Sequence, residues 1–186
     1  HKVIYYAYDT MRKSIEAAGA AFVSCNTYDA EQRLSAKDGE RVGKDLAFST
    51  NLLVDTTLAL DRAILSDMRA LAPDCIVADS MAIWGKLIAK KLGIPFVSST
   101  TTFAFNRYSA KIMKQSPAQF FGLLVSMPKI GREIKRLQAA GYPVKSVLDI
   151  IQNDENTDTI VYTSPEFQPC AETFPAAHYA FVGPSI

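Results

Sequence analysis

The stretch that decides the fold runs Asp74-Cys75-Ile76-Val77-Ala78-Asp79, then through Trp84-Gly85 and Ile88-Ala89 to Leu92-Gly93-Ile94-Pro95-Phe96-Val97. Cys75 to Ala78 is a compact apolar run, the pattern of a parallel strand buried on both faces. From about Met81 to Leu92 the spacing turns helical, and Gly93 suits the left-handed residue that closes a helix. Ile94 to Ser99 reads as the next strand, with Pro95 at its entry, where a missing N–H is tolerated. Strand, helix and strand in immediate succession are the unit from which parallel sheets are built.

Outward from this unit the alternation continues. Upstream, Val3 to Ala7 is β-branched and aromatic, hence a strand. Asp9 or Thr10 then caps a helix to about Ala18, ended by Gly19. Ala21 to Cys25 is a second strand, and residues 26 to 40 are a polar loop. Val42 to Leu71 reads as an amphipathic helix, because Leu46, Leu53, Leu60, Ile64 and Leu71 keep near one face. Pro73 marks its end. Downstream, Thr100 to Asn106 is a polar and aromatic loop. Residues 107 to 126 give no clear pattern, and Met127 to Ala140 looks helical. Ser146 to Gln152 reads as a short helix, and Thr159 to Tyr162 and Tyr179 to Val182 as strands. The sum is an α/β fold: a Rossmann-like parallel sheet sandwiched by helices, one domain over residues 1–186.

Composition narrows the function. The 186 residues are 48% hydrophobic and 21% charged, with a net charge of +1 from 20 basic and 19 acidic groups. That balance gives no electrostatic footprint for nucleic acid or an anionic membrane. No apolar stretch approaches the roughly 20 residues of a membrane span. Cys25, Cys75 and Cys170 form no CxxC pair and read as reduced, buried thiols of a cytosolic protein. His1 and His178 are too few for a histidine-rich metal site. A P-loop, a GxGxxG turn after a strand and a GxSxG elbow are all absent from the sequence.

In open parallel sheets ligands bind beyond the carboxyl ends of the strands. Asp79, the Thr100–Phe103 run and Ser164-Pro165-Glu166 occupy such ends. Asp79 has two readings that can coexist. With Ser80 it can cap the following helix, or its carboxylate can orient a histidine and stabilise the protonated ring. The hydroxyls from Ser98 to Thr102 suit a polyhydroxylated ligand, or simply a turn. Phe103, Phe105, Tyr108, Phe120 and Phe121 can line a pocket for a flat acceptor, or belong to the core.

The unit around Asp79 resembles the acceptor-half core of inverting, nucleotide-sugar-dependent glycosyltransferases with the GT-B fold. The closing stretch Ile160-Val161-Tyr162-Thr163-Ser164-Pro165-Glu166-Phe167-Gln168-Pro169, with Phe181-Val182-Gly183-Pro184-Ser185-Ile186, looks like the macrolide-glycosyltransferase branch. His1-Lys2-Val3-Ile4-Tyr5-Tyr6 is similar to that family's second strand.

The resemblance implies a cytoplasmic enzyme of natural-product chemistry. It would transfer a hexose from a nucleotide sugar, usually a UDP-sugar, to a small aromatic, flavonoid-like or macrolide acceptor. The nucleotide sugar is a co-substrate, and neither a metal nor a bound cofactor is implied. Asp79 takes the place of the aspartate that orients the histidine base. Met81 faces the acceptor and Thr101 the donor sugar, while Phe103, Phe120 and Phe121 are acceptor-pocket candidates by position alone. It further implies that the first strand, the histidine loop and the first helix precede His1, and that a donor-binding C-terminal domain follows Ile186. The 186 residues alone are then expected to be inactive. Two other readings stand beside it: a non-catalytic doubly wound binding module, and another GT-B enzyme such as a nucleotide-sugar epimerase or a peptidoglycan-precursor transferase.

Overall fold

A computed structural model describes residues 1–26, 40–42, 45–106, 108–109, 117–146, 149–150 and 156–184. Its strands are β1 (Ile4–Ala7), β2 (Ala21–Ser24), β3 (Ile76–Asp79), β4 (Phe96–Thr100), β5 (Asp158–Val161) and β6 (Tyr179–Phe181). Its longer helices are α1 (Arg12–Ala17), α2 (Leu46–Leu71), α3 (Ile83–Leu92) and α4 (Pro117–Ala139), with 3-10 turns at Asp9–Met11 and Ala171–Thr173. Each predicted strand is present within a residue or two. Of the short helix predicted over Ser146–Gln152, Asp149 and Ile150 are helical and Ser146 is a bend, and 147–148 and 151–152 lie outside the described residues.

All strand pairs are parallel, but they form two sheets, β1-β2 and β3-β4-β5-β6. The Ala21 and Cys25 N–H groups bond the Val3 and Ala7 carbonyls. By the alternation of a parallel ladder, the peptide groups of Ile4 and Tyr6 therefore face away from β2. Likewise the Ile76 and Ser80 N–H groups bond the Pro95 and Ser99 carbonyls, so the peptide groups of Val77 and Asp79 face away from β4.

Both sheets share one core. Val54, Leu60, Ile64 and Leu65 of α2 pack on Ile83, Leu87 and Ile88 of α3, on Leu137 of α4 and on Val144. Tyr6 of β1 packs against this cluster, and its hydroxyl donates to Asp67 of α2 at 3.1 Å. The α3 helix sits close on β3: a methyl added at Gly85 would come within 2.5 Å of the Ala78 side chain. A smaller cluster of Ala104, Val161 and Phe174 holds the β5–β6 end, with Tyr179 and Phe181 against it.

Several expectations are corrected. β3 is not buried on both faces, since Val77 is 62% exposed. Of the thiols only Cys25 is buried; Cys75 is exposed and Cys170 half-buried. Asp9 caps nothing with its side chain and pairs with Arg12 at 3.2 Å instead. The α2 helix starts at Leu46 rather than near Val42, because the Asp45 carboxylate accepts the Phe48 N–H at 3.0 Å and fixes the first turn there. Of the predicted stripe Leu60 and Ile64 are buried, joined by Thr50, Val54, Thr57 and Leu65, while Leu71 at the last turn is exposed. The α4 helix begins well before Met127 and carries Pro128 inside it. Among the described residues no helix is long and apolar enough to cross a membrane.

Candidate active site

β3 delivers Asp79 to its carboxyl end, half-buried, and the turn after it folds back on the carboxylate. The Met81 N–H donates to Asp79 Oδ1 at 2.8 Å, and the Ala82 N–H donates to the Asp79 carbonyl at 2.8 Å. This is an Asx-type turn. The helix cap itself is Ala82, which makes no side-chain bond. The capping expectation for Asp79 or Ser80 is therefore corrected: Asp79 holds the turn ahead of α3. Having one oxygen fixed by a backbone N–H limits rotation of the carboxylate, so the other oxygen has a defined direction.

That second oxygen meets the neighbouring strand. Asp79 pairs with Ser99 in register, and Thr101, just past β4, donates its hydroxyl to Asp79 Oδ2 at a long 3.4 Å. Asp79, Met81 and Thr101 are thus brought together. Met81 is 61% exposed and Phe103 55%, at the same end of the sheet. Large apolar side chains left this open beside a fixed carboxylate fit a surface that takes up an apolar molecule. Phe105 and Tyr108 are also exposed. Phe120 and Phe121 fall in the first turns of α4, and their side chains lie outside the described residues.

The turn after β5 forms the next part of the rim. The Ser164 hydroxyl, and then the backbone N–H of Glu166 itself, hold the Glu166 carboxyl below the usual carboxylate range. The Phe167 and Gln168 N–H groups both bond the Ser164 carbonyl at 3.1 Å. Gln168 was not singled out from the sequence, yet its buried amide bonds Ala104 on both sides, at 2.8 and 2.9 Å. His178 lies at the opposite, amino end of the strands, where Nδ1 is 2.8 Å from Asp158.

A separate groove of about 670 Å³ runs between the start of α2 and the middle of α4, lined by Phe48, Asn51, Lys129, Arg132 and Arg136. It does not include Asp79. The Arg136 guanidinium in it is tied to Asp55 at 2.7 Å and Glu133 at 2.6 Å. The strand ends are the better candidate site, because there a fixed carboxylate, a hydroxyl and open apolar side chains converge.

No family model matches the chain. The uncharacterized UDP-glucosyltransferase YojK of Bacillus subtilis (strain 168) is 37% identical over 117 residues, 61% of this chain and 28% of YojK. The NDP-glycosyltransferase YjiC of Bacillus licheniformis is 25% identical over all of this chain and 44% of its own. Among solved structures, the glycotransferase of kitacinnamycin superposes on the whole chain and 44% of its own, with a TM-score of 0.75 and 18% identity. CalG4, the calicheamicin glycosyltransferase, superposes on the whole chain and 45% of its own, with a TM-score of 0.64 and 25% identity. The chain spans less than half the length of the curated relatives it matches. Its fold is the α/β fold found in a little under half of each of these two solved GT-B structures.

Proposed function

We propose that this chain, similar throughout to the N-terminal half of GT-B glycosyltransferases, is the acceptor-binding half of an enzyme that glycosylates a small molecule. The observation that carries the reading is Asp79: a carboxylate at the end of β3, fixed by the Met81 N–H and turned toward the Thr101 hydroxyl. The relatives' names, UDP-glucosyltransferase and NDP-glycosyltransferase, support a nucleotide sugar, most simply a UDP-sugar, as co-substrate. The structural neighbours are named for kitacinnamycin and calicheamicin, which supports a small-molecule acceptor, read here as a small aromatic, flavonoid-like or macrolide compound.

The chemistry follows from what a hydroxyl needs in order to attack an anomeric carbon. Its proton must leave as the new C–O bond forms, and an imidazole is the suitable base near neutral pH. That histidine comes from a segment outside these 186 residues. Asp79 holds the ring and offsets the charge it gains. The acceptor attacks the face opposite the nucleotide, the nucleoside diphosphate departs with the bonding electrons, and the anomeric configuration inverts. Met81, Phe103, Phe120 and Phe121 border the acceptor, and Thr101 faces the donor sugar bound by a C-terminal domain. The scheme uses no bound cofactor and runs in the cytoplasm.

The test is incubation of the complete protein with UDP-sugars and a panel of phenolic and macrolide acceptors. Donor consumption with a glycosylated product is expected, and no consumption with any acceptor overturns the reading. Asp79→Ala should lower turnover by about 100-fold or more, the scale of general-base assistance, while the melting temperature stays close to that of the parent. Undiminished turnover would remove Asp79 from the mechanism.

A further inference from the structure

We propose that Gln168 is the positioning residue of the loop after β4, and that through this loop it sets how tightly the ligand at the ends of β3 and β4 is held. The nature of that ligand rests on the sugar-transfer reading; the clamp does not.

Gln168 is 4% exposed, as is Ala104 beside it. The Ala104 N–H donates to Gln168 Oε1 at 2.8 Å, and Gln168 Nε2 donates to the carbonyls of Ala104 at 2.9 Å and Pro169 at 3.0 Å. A side-chain amide that satisfies both peptide groups of one residue replaces the strand ladder where no strand runs. A second pin lies just upstream, where the Thr100 carbonyl accepts the Tyr162 N–H at 3.0 Å. Between the two pins stand Thr101, Thr102 and Phe103, all exposed. Beyond them, Asn106 Nδ2 donates to the Thr173 hydroxyl at 2.8 Å.

Gln168 is in turn rooted in the turn at the end of β5 by its own N–H on Ser164. So the position of Thr101 and Phe103 is dictated from β5, across the sheet from Asp79. Ala104 also packs with Val161 and Phe174. An amide lodged beside such an apolar cluster is costly unless every one of its bonds is made, so its geometry is tightly specified.

Two variants of the complete protein test this. Gln168→Met keeps the volume and removes both bonds to Ala104. It should speed hydrogen exchange of the Ala104 N–H by about tenfold or more and cut kcat/KM per folded molecule by about 10- to 100-fold, the scale of a small misplacement of a binding group. Gln168→Glu keeps the acceptor and loses the donor, but a protonated carboxyl restores it. Its KM should fall toward the parent value as the pH is lowered, a profile the parent lacks. Unchanged exchange in Gln168→Met overturns the clamp. Faster exchange with parental kinetic constants, or a Gln168→Glu profile that parallels the parent, overturns the positioning role. A parent protein that transfers no sugar overturns the sugar reading and the ligand half of this proposal with it, and exchange at Ala104 then decides the clamp alone.

Discussion

A phenol, an amine and a carboxylate meet just beyond the end of α4. The Tyr142 hydroxyl donates to Asp61, and Lys91 Nζ sits 3.2 Å from that carboxylate, 2.7 Å from the Ala140 carbonyl and 4.2 Å above the Tyr142 ring. Burial, reinforced by the Asp61 hydrogen bond and charge, pushes the Tyr142 pKa well above its ordinary 10.0. Below that value the phenol is neutral in both folded and unfolded chains. Above it the unfolded chain gives up the proton and the folded one keeps it, so stability falls as pH rises. The urea midpoint should therefore decline above pH 10 more steeply in the parent than in Tyr142→Phe; equal slopes would refute the linkage. At this scale the sequence was readable where a residue's role is local. Asp79 stood out as an acid ending an apolar run. Gln168 did not, because its partner Ala104 is 64 positions away and nothing in a Phe-Gln-Pro triplet points to it.

Elements were legible where period and punctuation agree. Gly93, with φ +68°, closes α3 where the sequence placed it. The start of α2 was misplaced because Asp45 outcompetes the apolar period as the first signal. The early start of α4 was hidden by Pro117, Gly122 and Pro128, residues that ordinarily argue against a helix. Gly85 has a physical role in its packing on Ala78, which the sequence pattern alone does not show. Gly85→Ala would gain about 1 kcal/mol of helix propensity and still lose a net 1–3 kcal/mol, roughly, by forcing α3 off β3. Chemical denaturation measures the balance, and a stabilised variant would show that the helix can shift at no cost.

Over the whole molecule, parallel order was readable because strands alternated with helices throughout. The exposure of Val77 was not, since an apolar run looks the same whether one face or two are covered. Tyr6 seats the β1-β2 pair on α2. This has a kinetic consequence. The segments 4–24 and 76–100 each close a strand-helix-strand unit from near neighbours in sequence, whereas the Tyr6–Asp67 bond spans 61 positions. A contact so distant in the chain closes a long loop before it is rewarded, so docking of the first unit onto α2 should follow the closure of the two local units. Tyr6→Phe should then accelerate unfolding while leaving the refolding rate as it was, a φ-value near zero. A refolding rate that drops by the full loss in stability would place that contact in the nucleus instead.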